Sequence, residues 1–390
     1  MRVRFTKKIK LLKLISLSIF LVFFSHEAIT QELVASTSKS VPNDLCYSNN
    51  NFSNTLGIGK GVKHTRVKRW LSGKPAIVNI ITVNPDLERF VIKPSYGTYS
   101  INSVRRVSDF VYAEKAIAGI NASFFKPGSG IPIGASIVNG EVLTGPLYNR
   151  VVFGITANNK FKMEKIAISG EISIGESVTL PLVNINQPIT RTDGFTVYTD
   201  RWGSRTPDTS IYQCHIVVEN NKVQYIKQSS VLIPQNGYVI VGPRSLIPKN
   251  TINQFDSVSY KASLSPDDWN NIKYAVGGGP YLVKDGKMFI DKQRFSNKFL
   301  WGKAPRSAVG YTKAGVLILV TVDGRQEGTD GATLTELAQI MYELGAYNAM
   351  NLDGGSSTQM VYKGQLVSKP TVKGGSRVTN ALVVIPDFRD

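Results

Sequence analysis

The chain reads as an α+β fold: mixed twisted sheets with packed helices, and a β-rich insertion in the middle of the chain. Three observations carry this expectation. Short apolar or alternating runs bounded by Gly, Asn and Asp recur along most of the sequence, as strands require. Residues 333–344 carry Leu334, Leu337, Ala338, Met341 and Leu344 on one helical stripe, with Thr333 and Glu336 as a capping box and Gly345 as a stop. Between about 155 and 270 the helical patterns disappear and short strands such as EKIAIS, FTVYTD and GYVIVG follow one another.

Along the chain, residues 1–30 combine a basic start with the eleven-residue apolar run LISLSIFLVFF. This is short for a membrane span, which needs about 20 residues, and suits a signal peptide or N-terminal anchor. Residues 31–58 are a polar linker rich in Ser, Asn and Thr. The strands AIVNIITV (76–83) and RFVIKPS (89–95) read as a pair joined by NPDLE. A helix follows over 103–114, capped by Asn102 or Ser103, and then the buried strand AIAGI ends at Asn121. The segments VYAEKAIAGINASFF (111–125) and MYELGAYNAMNLDGG (341–355) echo each other without gaps as helix end, strand and polar exit.

Composition narrows the chemistry. The formal charge is +18, and removing residues 1–30 leaves 40 basic against 27 acidic residues, or +13. A field of that sign favours anionic partners. The short basic stretch HTRVKRW (64–70) is no dense basic block with interleaved aromatics, so no nucleic acid is expected. Anionic or phosphorylated glycans fit an exported protein better, with the membrane reached only through the N-terminal segment. Two cysteines, Cys46 and Cys214, could pair outside the cytoplasm. Three histidines and two cysteines leave little for a Cys/His zinc site. There is no G-x-S-x-G elbow, phosphate loop or dinucleotide fingerprint.

Strand ends suggest where a site could form. VLILVTV (316–322) exits at Asp323-Gly324-Arg325, and AYNAMNL exits at Asp353-Gly354-Gly355. A strand-helix-strand unit of this kind makes two parallel strands with a right-handed crossover, which brings Asp323 and Asp353 to one sheet edge. A hairpin centred on TKAG places Arg306 opposite Thr321 and beside Asp323, provided the register does not slip by one residue. Glycine-rich entries (Gly278-Gly279 in GGGP, Gly354-Gly355 in DGGSS) precede hairpin turns and leave backbone free to approach a ligand. Asp323 and Asp353 are hard oxygen ligands, which leaves room for a divalent cation, although no cation-binding loop is present and no other cofactor is indicated.

The series GINASFF, GGGPYLVKDGK, PRSAVG, VTVDGR, LTELAQIMYELGAYNAMNLDGGSST and RVTNALVV resembles the phosphodiester glycosidase family over about residues 60–386. Asn121-Ala122-Ser123-Phe124-Phe125 stands where members often have Asn-Gly-Gly-Phe-Phe. The resemblance implies that residues 59–390 form a catalytic domain of an exported hydrolase, secreted or periplasmic. It would cleave the glycosidic bond of a sugar-1-phosphodiester, N-acetylglucosamine-1-phosphodiester-like or part of a phosphorylated exopolysaccharide. It further implies a site containing Asp353, Asp323 and Arg306 as catalytic residues. Asn121, Thr321, Gly278, Gly279, Arg325, Gly354, Gly355, Ser356 and Asn380 would bind substrate. The competing reading is a non-catalytic carbohydrate-binding envelope protein of the same fold, motivated by the basic charge, the Ala122-Ser123 departure and the aromatic cluster Tyr198, Trp202 and Tyr212.

Overall fold

A computed structural model describes residues 60–387. The expected leader, the expected linker up to residue 58 and Cys46 lie outside the described residues. The chain is dominated by antiparallel sheets, and its helices are short, so the packed-helix part of the expected α+β fold is only weakly matched. It opens with the antiparallel pair β1 (Val62–Leu71) and β2 (Lys74–Val83), so the basic HTRVKRW stretch is an edge strand. Then come β3 (Phe90–Tyr96), helix α1 (Val107–Ala113) and β4 (Ala118–Asn121). β2 and β3 do not pair as the sequence suggested; they enter different sheets, β2 beside the strand at 317–322 and β3 beside the last strand. Helix α1 starts later than expected, with Arg106 as its N-cap, because Arg105 is held in a backbone bridge to Val378.

Next are β5 (Ser136–Val138), β6 (Glu141–Thr144), β7 (Val151–Thr156) and β8 (Phe161–Lys165). Strands β9 to β15, between Ala167 and Ser265, make a seven-stranded sheet with its own apolar core around Phe195, Ile216 and Ile240. β16 (Ile272–Gly277) joins β5 to β8 in a five-stranded sheet. The remaining elements are β17 (Tyr281–Lys284), β18 (Lys287–Met288), α2 (Asn297–Trp301), β19 (Arg306–Tyr311), β20 (Leu317–Val322), α3 (Leu334–Glu343), β21 (Asn348–Asn351), β22 (Met360–Tyr362), β23 (Gln365–Leu366) and β24 (Asn380–Pro386).

The elements at the two ends of the chain form a repeated architecture. One sheet runs β23-β22-β4-β24-β3, and the other runs β18-β17-β21-β19-β20-β2-β1. In the first, β3–α1–β4 leaves a gap that β24 fills; in the second, β20–α3–β21 leaves a gap that β19 fills. Backbone bonds repeat as well. Ala116 N–H donates to Val111 O (2.9 Å) and Ala346 N–H to Met341 O (3.1 Å). Likewise, Ile117 N–H donates to Val384 O (2.8 Å) and Tyr347 N–H to Tyr311 O (2.7 Å). Each helix ends through a left-handed residue, Lys115 (φ 51°) in one copy and Gly345 (φ 79°) in the other. The two echoing segments are therefore equivalent pieces of structure, although few of their residues are identical.

Burial follows from this layering. The apolar faces of the two sheets meet around Ile81, Ile92, Ile120, Leu319 and Leu382. α3 covers the outer face of its sheet through Leu334, Leu337, Ala338 and Met341, and α1 covers the other through Val107, Phe110 and Val111. Strands β20 and β21 are parallel in direction but not neighbours, because β19 lies between them and is antiparallel to both. The hairpin register is also one residue away from the expected one. Arg306 pairs with Val322 and Ser307 with Thr321. Since side chains alternate along a strand, this slip sends Arg306 to the α3 side and Ser307 to the face between the sheets.

Candidate active site

The exits of the two equivalent strands are stapled together. Asp353 N–H donates to Ala122 O (3.0 Å), and Asn121 Nδ2 donates to Asp353 O (2.6 Å). Asn121 Oδ1 accepts from Ser307 Oγ (2.7 Å) and from Gln359 N–H (3.0 Å). Asn121 is thus fully buried and engaged on both ends of its amide, a bracket beneath the site. Asn380 plays a similar part. Its Oδ1 accepts from Ser123 N–H (2.9 Å), and its Nδ2 donates to Tyr96 Oη (2.8 Å) and Ser123 Oγ (3.2 Å). The Ala122-Ser123 pair is buried with its polar groups satisfied, so the departure from Gly-Gly is absorbed there.

Beyond these exits lies a cavity of about 770 Å³. Asp353 is the one carboxylate among its lining residues, against Lys298, Lys303, Arg306, Arg325 and Arg377. Burial pushes the Asp353 carboxyl up to about 6, although the Ser357 hydroxyl and Gly354 N–H (3.0 Å to Oδ1) favour its ionised form. Arg306 is buried at the base. Its Nε donates to Ala332 O (3.0 Å) and its Nη2 to Phe299 O (2.9 Å) and Gly302 O (2.6 Å). Burial and then the neighbouring Arg325 cation pull its pKa down to about 10. Two like charges beside each other, without a carboxylate bridging them, favour an anion between them. Among the described residues, Lys298, Arg325 and Arg377 have no ion-pair partner, while Lys303 sits 3.6 Å from Glu336.

The two glycines of DGGSS have distinct reasons. A Cβ on Gly354 would stand 2.8 Å from Pro305 O, a backbone atom that cannot move cheaply. Gly355 has φ 62° and lies under the Arg325 guanidinium, 3.2 Å from where its Cβ would be. Backbone approach is therefore real, but it is to Pro305 and Arg325. Ser356 is exposed at the rim.

Several expected site residues are elsewhere. Asp323 does not line the cavity. It is buried between the sheets, where Oδ1 accepts from Lys369 N–H (3.0 Å) and Oδ2 has no partner. Thr321 is beside it, receiving a long contact from Asn79 Nδ2 (3.5 Å). The expected pair of aspartates on one wall is not formed, because β19 separates their strands and their side chains enter different spaces. Among the described residues no group of three His, Cys, Asp or Glu could hold a metal ion. Gly278 and Gly279 also stay outside the cavity; they pack under Asn351, with Gly279 N–H donating to Asn351 O (2.7 Å). Tyr198 and Trp202 are buried against each other, so they form no exposed sugar platform with Tyr212. Sequence reasoning missed Lys298, Phe299, Lys303 and Arg377. The stretch SNKFLWGKAPR carried the signal, since it packs three cations around an aromatic just before β19.

Comparison with known proteins agrees with this architecture. The family model described as phosphodiester glycosidase matches residues 212–385. The N-acetylglucosamine-1-phosphodiester alpha-N-acetylglucosaminidase of Bos taurus is 31% identical over 116 residues, which is 27% of this chain and 22% of that protein. Its Mus musculus counterpart is 32% identical over 117 residues, with the same shares covered. The chain thus spans about a fifth of the length of these curated relatives. A hypothetical protein from Synechocystis superposes with TM-score 0.76 at 28% identity, over 84% of this chain and 62% of that one. The zebrafish N-acetylglucosamine-1-phosphodiester alpha-N-acetylglucosaminidase catalytic domain, auto-inhibited by its pro-peptide, shares the fold at TM-score 0.51 and 16% identity, over 86% of this chain and 85% of that one. The segment 212–385 thus matches the phosphodiester glycosidase family model, and the chain is similar to members of that family in sequence over a part of its length and in fold over most of it.

Proposed function

We propose that this protein hydrolyses the glycosidic bond of a sugar-1-phosphodiester, of the N-acetylglucosamine-1-phosphodiester kind or within a phosphorylated envelope glycan. The observation that carries this reading is a cavity with a single carboxylate, Asp353, facing five cations. A departing phosphate monoester is already a stable anion, so it needs charge matching more than a proton. Arg325, Lys298 and Arg377 supply that, while Arg306 adds its field from the base. Asp353 then acts on the sugar side. It accepts a proton from water as the water oxygen bonds to the anomeric carbon and the bond from that carbon to the phosphate oxygen breaks. A two-carboxylate arrangement is not needed when the leaving group is this good. The basic N-terminal segment with its apolar run supports action outside the cytoplasm.

The deciding experiment is release of free sugar from a glycosyl-1-phosphodiester by the wild type, Asp353→Ala and Arg325→Ala, run in ¹⁸O water. Label in the sugar with loss of turnover in both variants is the expected result. Label in the phosphate would make the protein a phosphodiesterase. Tight binding without turnover would favour a carbohydrate-binding protein.

A further inference from the structure

Arg150 lies outside the cavity wall and makes no ion pair among the described residues. Its guanidinium carbon is 4.0 Å from the centre of the Phe295 ring and 5.2 Å from those of Phe124 and Tyr148. Phe295 stacks on Phe299 with centroids 4.5 Å apart and planes 17° from parallel, and Phe124 packs against both. Phe299 lines the cavity, and the Arg306 guanidinium is 5.0 Å from its ring centre. The result is a continuous row, Arg306–Phe299–Phe295–Arg150, that leads from the base of the cavity to a second cation.

That second cation is held ready and left unmatched. Its Nε is buried without a hydrogen-bond partner, and burial holds its pKa down to about 10. Asp291, on the loop that carries Phe295, is committed to Lys165 at 2.6 Å and to Gln293 Nε2 at 2.6 Å. The loops that present the row are also unusual. Tyr148 and Asn149 in one, and Gln293 and Arg294 in the other, all have positive φ, and Val151 N–H donates to Gln293 Oε1 (3.1 Å) to join them. Side chains other than glycine are disfavoured in this region, and such strain clusters where a structure presents functional groups. A guanidinium flanked by ring faces keeps its planar fork for an oxyanion.

We propose that Arg150 binds a second anionic group of the same substrate, so that the preferred substrate is a chain bearing phosphodiesters at repeated intervals. This rests on reading the cavity as a phosphodiester site. Two stacked rings separate the Arg306 and Arg150 guanidinium groups along the row, a spacing that suits phosphates with a sugar between them better than the adjacent phosphates of a nucleotide sugar.

The test compares Arg150→Met and Arg150→Gln with the wild type, each checked for an unchanged melting transition. For turnover, a one-phosphate glycosyl diester and an oligomer of sugar phosphates are assayed in parallel. The loss of kcat/KM on the oligomer is expected to exceed that on the short diester by roughly tenfold, the worth of one charge-assisted contact. For binding, orthophosphate and a linear polyphosphate are titrated calorimetrically. The wild type should prefer the polyphosphate, and the variants should lose that preference. Equal losses on short and long ligands, or none on either, would overturn the proposal. If the wild type turns over neither sugar phosphate, the reading of the cavity fails, and the polyphosphate titration still decides the role of Arg150.

Discussion

Replacing Asp353 by asparagine preserves the shape of the cavity wall and removes its carboxylate. Loss of general-base assistance is worth on the order of 10²–10⁴ in rate, so Asp353→Asn should lower kcat by at least about a hundredfold, with a melting temperature no lower than that of the wild type. With the carboxyl raised to about 6 by burial, wild-type activity should climb as pH rises through 6 and level off above it. Asp323 calls for a different experiment. Its carboxyl is also pushed to about 6, by burial first, against the Lys369 N–H, Arg66 and Asn79. A folded-state pKa above the ordinary 3.8 stabilises the fold only while the group is protonated. The contribution is complete below about pH 3.8 and is lost as pH rises through 6. At neutral pH the buried, half-partnered carboxylate is therefore a cost of about 2–3 kcal/mol. Asp323→Asn keeps the acceptor for Lys369 N–H and offers a donor to the orphaned Asn79 Oδ1 beside it. Thermal melts should show Asp323→Asn more stable than wild type at pH 7.5, with the advantage gone by pH 4. A catalytic Asp323 would instead lose activity in this variant at every pH.

At the scale of elements, helix α3 fixes the base of the cavity through its first turn. The Thr333 hydroxyl accepts from Glu336 N–H (3.1 Å) and the Glu336 carboxylate accepts from Thr333 N–H (2.8 Å), which sets the N-cap one residue after the Ala332 carbonyl that holds Arg306. Thr333→Ala should cost about 1 kcal/mol of stability, measured by urea unfolding. It should also raise KM for the diester, because Arg306 loses its fixed partner. Much of this element was legible beforehand: the apolar stripe, the capping box and the stopping glycine are all local signals. The hairpins that follow GGGP and DGGSS, at 284–287 and 362–365, were legible for the same reason. What stayed hidden was non-local. Nothing near Leu317 or Asn348 announces that β19 will slide between their strands. A one-residue hairpin register, which decides the face Arg306 occupies, is set by packing on both sides of the sheet. The Asp353, Arg325 and Gly354-Gly355 edge could be read because strand exits carry their own glycine and acid pattern. Asn121 and Asn380 were picked out as site residues, and the structure places them in a buried bracket beneath the strand exits, a role with the same sequence signature as a polar contact.

For the whole molecule, the repeated β–α–β units place two equivalent strand exits face to face, but their chemistry has diverged. One exit carries buried, satisfied Ala122-Ser123, and the other carries Asp353 and the two glycines. The cavity draws most of its lining from the second unit, with Val104, Phe125, Pro127, Ser376 and Arg377 supplied by the first unit and the segment leading into β24. A cation-rich cavity set in a chain of formal charge +18 focuses field lines toward anions. Ionic strength should therefore act on association more than on chemistry. Between about 20 and 300 mM salt the Debye length falls from roughly 20 Å to below 10 Å, and kcat/KM on a sugar phosphodiester should fall by about tenfold while kcat changes little. The measurement is a set of initial rates at fixed pH in sodium chloride, with the charge-neutralising variant Arg377→Gln run alongside. Arg377→Gln should start from a lower kcat/KM and show a shallower salt dependence, since it contributes one of the charges being screened. A salt response identical in wild type and Arg377→Gln would mean that the cavity cations do not steer the substrate, and that the field arises from the remaining basic surface.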